Sequence, residues 1–167
     1  MNGGGGTQQP PPFLLAHEIG AAHMARREWV DIRHKASPDG PPLLRRVRWG
    51  ASFFWRLRGL MFRSSIKPGD ALLLVEPRQG RAAVSIHMFF VPFTIAAVWI
   101  DNSGRVVDKV AARPWRPYYA PREPARFTLE THPEFLDRVS IGDELVFEDS
   151  PSVAVPAGAV RSSADRR

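Results

Sequence analysis

The stretch Ala82–Ile100, AAVSIHMFFVPFTIAAVWI, contains no Asp, Glu, Lys or Arg, and Arg81 and Asp101 stand at its borders. A run like this admits three structures. About 18 apolar residues suffice to span a bilayer as a helix, the run is long enough for one buried helix, and it also divides into two buried strands joined by a tight bend. Pro92 falls in the middle, where a helix would lose a hydrogen bond and clash with the carbonyl four residues back. Val84, Ile86, Val91, Thr94, Ile95, Val98 and Ile100 are β-branched, and Phe89, Phe90, Phe93 and Trp99 are aromatic; both types favour strands. Strands covered on both faces read as continuous apolar runs. The stretch therefore predicts two central strands of a core, with no membrane span, and Arg and Lys on both sides give no topogenic signal.

The remaining chain supports one domain. At 167 residues there is room for a single folded unit with tails. The Gly- and Pro-rich start, MNGGGGTQQPPP, has no basic segment ahead of a long apolar core, so it does not read as a signal peptide. The expectation is a cytoplasmic protein with a flexible tail and a short helix over 1–28, a β-rich domain over 29–149 and a disordered tail over 150–167. The absence of cysteine removes disulfides, thiolate zinc sites and a Cys nucleophile.

Within the domain, WVDIR (29–33) and LLRRVRW (43–49) flank the turn formers SPDGPP and predict a hairpin. Residues 51–63, ASFFWRLRGLMFR, place Phe53, Phe54, Leu57, Leu60 and Met61 on one helical stripe, with Gly59 marking a close backbone approach or the helix end. ALLLVE (71–76) predicts a strand and 77–81 a polar loop. Asp101–Gly104 is a tight turn joining the second central strand to a strand over 105–111. RPWRPYYAPR (113–122) reads as an ordered loop whose aromatics either cover one end of the core or bind a Pro-rich ligand or a base. ARFTLET (125–131) alternates, 133–139 suits a short helix, and 144–148 a last strand.

The order of these motifs resembles the bacterial and archaeal domain of unknown function 192. Its members carry a pattern close to A-D-T-F-W-x-R-L-x-G-L-L-x-R, here ASFFWRLRGLMFR, and one like I-H-T-F-F-M-x-F-P-I-D-V-V-F-L-D, here IHMFFVPFTIAAVWID from Ile86. A strand ending in Leu129-Glu130, the Gly142-Asp143 turn and the Pro114-Trp115 pair also fit. The resemblance covers about residues 45–149. It implies a mainly β (α+β) fold, a compact β sandwich or barrel-like domain with one or two short helices, and it implies no activity. Ala96 stands where the family pattern has Asp.

His87 is the sharpest anomaly, because a histidine within an apolar strand requires a hydrogen-bond partner. Arg58 and Glu130, both in motifs the resemblance retains, are the candidate partners. With Trp115 they form a candidate binding cluster. The reading that follows is a small-ligand or partner-binding module, with a structural polar cluster as its plain alternative. A hydrolase-like enzyme with His87 as general base would need a nucleophile or water beside the ring in an open cleft. A nucleic-acid binder would need Arg33, Arg45, Arg46, Arg48 and Arg56 on one face. Thirteen Lys and Arg against six Asp and Glu in residues 1–81 motivate that reading. No cofactor or metal motif is present. His17-Glu18 begins an HExxH pattern but Ala21 replaces its second histidine.

Overall fold

The computed structural model describes residues 27–51 and 59–151. Seven strands form one sheet: β1 (Trp29–His34), β2 (Leu44–Gly50), β3 (Ala71–Gly80), β4 (Ile95–Ile100), β5 (Val106–Ala112), β6 (Ala125–Thr131) and β7 (Leu145–Asp149), with a 3-10 helix at Pro133–Arg138. Their order across the sheet is β5-β4-β6-β3-β2-β1-β7. The β2–β3 pair is parallel and every other pair is antiparallel. The fold is mainly β, a curled sheet forming a half-barrel with one short helix.

The curl separates two cores. Residues from all seven strands, among them Ile32, Val47, Leu73, Val98, Val106, Phe127 and Phe147, meet in the interior. Trp49, Phe127 and Phe147 lie at its centre with ring centroids 5.1–6.2 Å apart. Phe135, from the 3-10 helix, packs into the same interior. The second core lies on the other face of β3, β4, β5 and β6, where Leu72, Leu74, Ile95, Ala97 and Trp99 are covered by Leu60, Ile66, Val84, Ile86, Met88 and Val91. β4 is buried at every residue, which is why it reads as an uninterrupted apolar run.

Only the second half of the Ala82–Ile100 stretch is a strand. The expected first strand is instead an irregular cover laid over the outer core. Trp99 Nε1 donates to Val84 O at 2.8 Å, and Thr128 Oγ1 donates to the same carbonyl at 3.2 Å. Ile86 and Tyr119 exchange backbone hydrogen bonds, Met88 N donates to Arg116 O, and Trp115 N donates to Met88 O. Val91 N then turns back to Met88 O, with Phe90 in the left-handed region (φ 59°). The residues were apolar because they are buried, but their backbone partners lie in the 115–119 loop. A second correction concerns β3, which continues through Pro77–Gly80 where a loop was expected. The register with β6 is irregular between Val75 and Gly80.

The sheet closes at one end. β5 and β7 are its edges, yet Leu145 N donates to Gly104 O at 2.8 Å, Val106 N donates to Asp143 O at 2.8 Å, and Arg105 bridges Glu144. Gly104 makes this possible. Its φ is +90°, and a Cβ there would lie 2.4 Å from Leu145 O. Gly142 also has a positive φ (+100°) but open space around it. We expect Gly104→Ala to cost about 3 kcal/mol or more and Gly142→Ala about 1 kcal/mol, as measured by urea unfolding, since only the first adds a backbone collision to the strain. Equal costs would show that the seam contributes nothing.

Candidate functional site

Glu130 occupies the middle of the sheet. On β6 it pairs with Leu72 of β3 on one side and Ala97 of β4 on the other. Alternation turns it, with Thr128, away from Phe127 and Leu129 and into the outer core, where it is only 5% exposed. A carboxyl so placed loses its hydration. Burial therefore pushes its pKa from 4.5 up to about 7, against the opposing attraction of the Arg63 guanidinium.

Glu130 and His87 line the same cavity, about 40 Å³ in volume. Leu74 and Ile95 of the sheet form its floor, with Gly59, Met61, Ile86 and Val91 from the covering segments around it. His87 Nδ1 and Glu130 Oε2 are both buried, and neither has a hydrogen-bond partner among the described residues. Gly59, in the left-handed region (φ +45°), brings bare backbone against the carboxyl: a Cβ there would stand 3.2 Å from Glu130 Oε2. Of the two readings of this glycine, the close approach is made to Glu130.

The structure thus brings His87 and Glu130 to one cavity. Arg58 lies outside the described residues, as does Arg56. Among the described residues, the cationic neighbour that acts on Glu130 is Arg63. His87 is half-buried in the irregular cover rather than within a strand. Ala96 packs into the interior core, whereas Ile95 and Ala97 face the outer one. A carboxylate at position 96 would not have lined this cavity. Ser85 also lines it, and its hydroxyl donates to Ala82 O at 2.7 Å, so it is engaged in its own turn rather than with His87.

Trp115 does not line the cavity. It is 57% exposed, in contrast to the core-covering role open to this loop, and packs edge-to-face on Phe90 with centroids 6.2 Å apart. Phe90 in turn stacks on Phe62 at 5.1 Å, and Phe89 lies 5.4 Å from the His87 ring. Phe62, Phe90 and Trp115 all have positive φ (65°, 59° and 62°). For bulky residues this conformation is an outlier, and each instance costs about 1–3 kcal/mol. Phe62 and Phe90 flank the cavity-lining residues Met61, Met88 and Val91 along the chain, and Trp115 reaches Met88 through its backbone hydrogen bond. Nothing local in the sequence marks their backbone geometry.

The arginines divide. Arg33 donates to Glu148 Oε2 at 2.8 Å and to Gly40 O, so it is engaged between β7 and the β1–β2 turn. Arg45, Arg46 and Arg48 line a separate groove. Among the described residues no group of three or more His, Asp or Glu is placed to hold a metal, and no helix is long and apolar enough to cross a membrane. His17 and Glu18 lie outside the described residues.

With this geometry in view, the profile of domain of unknown function 192, described as "Uncharacterized ACR", matches residues 36–147. The chain belongs to this family. It is 37% identical over 115 residues to the UPF0127 protein of Thermococcus sibiricus, covering 67% of this chain and 73% of that one. It is 44% identical over 84 residues to the UPF0127 protein of Thermococcus gammatolerans, covering 50% of this chain and about half (53%) of that relative. A crystal structure from Sinorhizobium meliloti 1021, described as a candidate transcription regulator, superposes with a TM-score of 0.60 at 22% identity. That match covers 71% of this chain and 94% of the other, and it shows a shared fold.

The buried carboxyl gives stability a defined pH dependence. In the folded state Glu130 keeps its proton up to about pH 7, while in the unfolded chain it ionises near 4.5. Folding therefore retains a proton between these values. Its contribution is fully favourable below pH 4.5, falls as pH rises from 4.5 to 7, and is level above. The loss is on the order of 3 kcal/mol. Denaturant unfolding of the wild type and Glu130→Gln between pH 4.5 and 8 should show a difference that grows by roughly this amount in favour of the variant. A constant difference across that range would contradict the placement of Glu130.

Proposed function

We propose that the domain is a small-ligand-binding module whose recognition site is the cavity between His87 and Glu130. The observation that carries the reading is the pair of buried polar atoms, His87 Nδ1 and Glu130 Oε2, that have no hydrogen-bond partner among the described residues and meet at one cavity. An unsatisfied buried polar atom costs about 1–3 kcal/mol, so two at one cavity favour a guest that satisfies both. A cavity of about 40 Å³ admits a few heavy atoms, given about 10–15 Å³ per water. It suits the polar end of a ligand, with the remainder of the ligand outside.

The chemistry around the cavity favours a cationic end-group. Glu130 would supply the counter-charge, and a ligand's amine would donate to Oε2. The exposed rings of Phe62, Phe89, Phe90 and Trp115 could receive an apolar or cationic body, because aromatic faces attract cations.

Methylammonium is the minimal probe. It is expected to bind saturably, weakly and with backbone amide shifts in NMR spectra centred on Ile86–Met88 and Leu129–Thr131. Binding should tighten about tenfold from pH 6 to pH 8, as the ionised fraction of a group with pKa about 7 rises. Glu130→Gln should weaken it and remove the pH dependence. Affinity indifferent to both would sink the reading.

A further inference from the structure

We infer that the groove beside β2 is a second, separate site that binds the phosphate groups of a small organic phosphate. It does not rest on the cavity reading above.

The groove exists because of a bulge. Val30 pairs with Val47 and Ile32 pairs with Leu44, so Arg45 and Arg46 together oppose the single residue Asp31. In a regular strand, consecutive residues point to opposite faces. Here the extra residue lets Leu44 and Val47 both enter the core while Arg45 and Arg46 are both exposed. Arg46 adopts φ 51° to do so. Asp31, only 6% exposed, holds the distortion: its Oδ1 accepts from Arg46 N at 2.9 Å and from the Ser150 hydroxyl. A buried carboxylate and a left-handed arginine are thus used to bring two adjacent guanidinium side chains to one face.

Other elements complete the groove. Arg63 lines it from the segment that crosses between β2 and β3. Arg46 and Arg48 lie over the Trp29 ring at 5.2 and 4.8 Å, and Arg48 also pairs with Glu28 at 2.8 Å. The groove's volume is about 450 Å³, within the range of small-molecule sites. Asp70 is the acidic residue in the lining, and its Oδ2 already accepts from Lys67 N. Among the described residues, no carboxylate lies within ion-pair distance of Arg45, Arg46 or Arg63. Three guanidinium groups without a carboxylate partner among the described residues, Arg45, Arg46 and Arg63, favour a polyanionic guest in this concave site, and their planar forks match phosphate oxygens. The groove's limited volume favours a compact phosphate ester over an extended nucleic-acid strand.

The test is calorimetric titration of the full chain with inorganic pyrophosphate at low and moderate salt. Saturable one-to-one binding is expected. Arg63→Ala and Arg46→Gly should each weaken it tenfold or more. The glycine variant suits the φ of position 46, so loss of folding does not confuse the result. Arg122→Ala removes an equal charge elsewhere and should change affinity less than twofold. Three results would overturn the proposal: no saturable binding, equal weakening by Arg122→Ala, or binding of a single-stranded oligonucleotide with a steep salt dependence where pyrophosphate does not bind.

Discussion

The central strands β3, β4 and β6 are buried on both faces over most of their length, and water must be kept from both. The rest of the fold follows from that requirement. One face is closed by curling the sheet on itself, so that β1, β2, β5 and β7 bring residues to the same interior. The other cannot be closed in this way and is covered by chain that forms no sheet of its own. A cover without strands must satisfy its backbone elsewhere. Hence Val84 O accepts from Trp99 and Thr128 side chains, and 86–88 pairs with 115–119.

Irregular cover and regular sheet do not fit without gaps, and polar groups collect where they meet. Glu130 is fixed by the sheet's register, whereas His87 is fixed by the cover's turn. The two reach one cavity from opposite sides. The same cover ends in left-handed aromatic residues that the exposed surface does not require. Glu130 and Asp31 are both buried carboxylates, but they act differently. Asp31 accepts hydrogen bonds that hold a bulge in place, and Glu130 Oε2 accepts none from the described residues.

The strands and hairpins were legible because turn formers and alternation are local properties. SPDGPP, Asp101–Gly104 and Gly142-Asp143 all fall between strands as their chemistry requires. The first half of Ala82–Ile100 was not legible as an irregular cover, because apolar composition reports burial and says nothing of which backbone supplies the hydrogen bonds. Glu130 could be named from its motif. Its position between Leu72 and Ala97 depends on pairing across 58 and 33 residues of chain, which no local pattern encodes. In a regular strand Arg45 and Arg46 would point to opposite faces. The bulge that unites them depends on Asp31 and Ser150, the latter far along the chain.

The pairing of β1 with β7 has a mechanical consequence. Trp29 O accepts from Ser150 N, and Val30 faces Asp149, so the described chain enters and leaves the fold within one hydrogen bond's width. A domain with neighbouring ends can be spliced into a loop of another protein with little disturbance to either. Tension applied through those ends would load the β1–β7 bonds one at a time, starting at Ser150, and peel them as a zipper opens. The sheet would resist pulling weakly along this axis, even though the interior it encloses is densely packed.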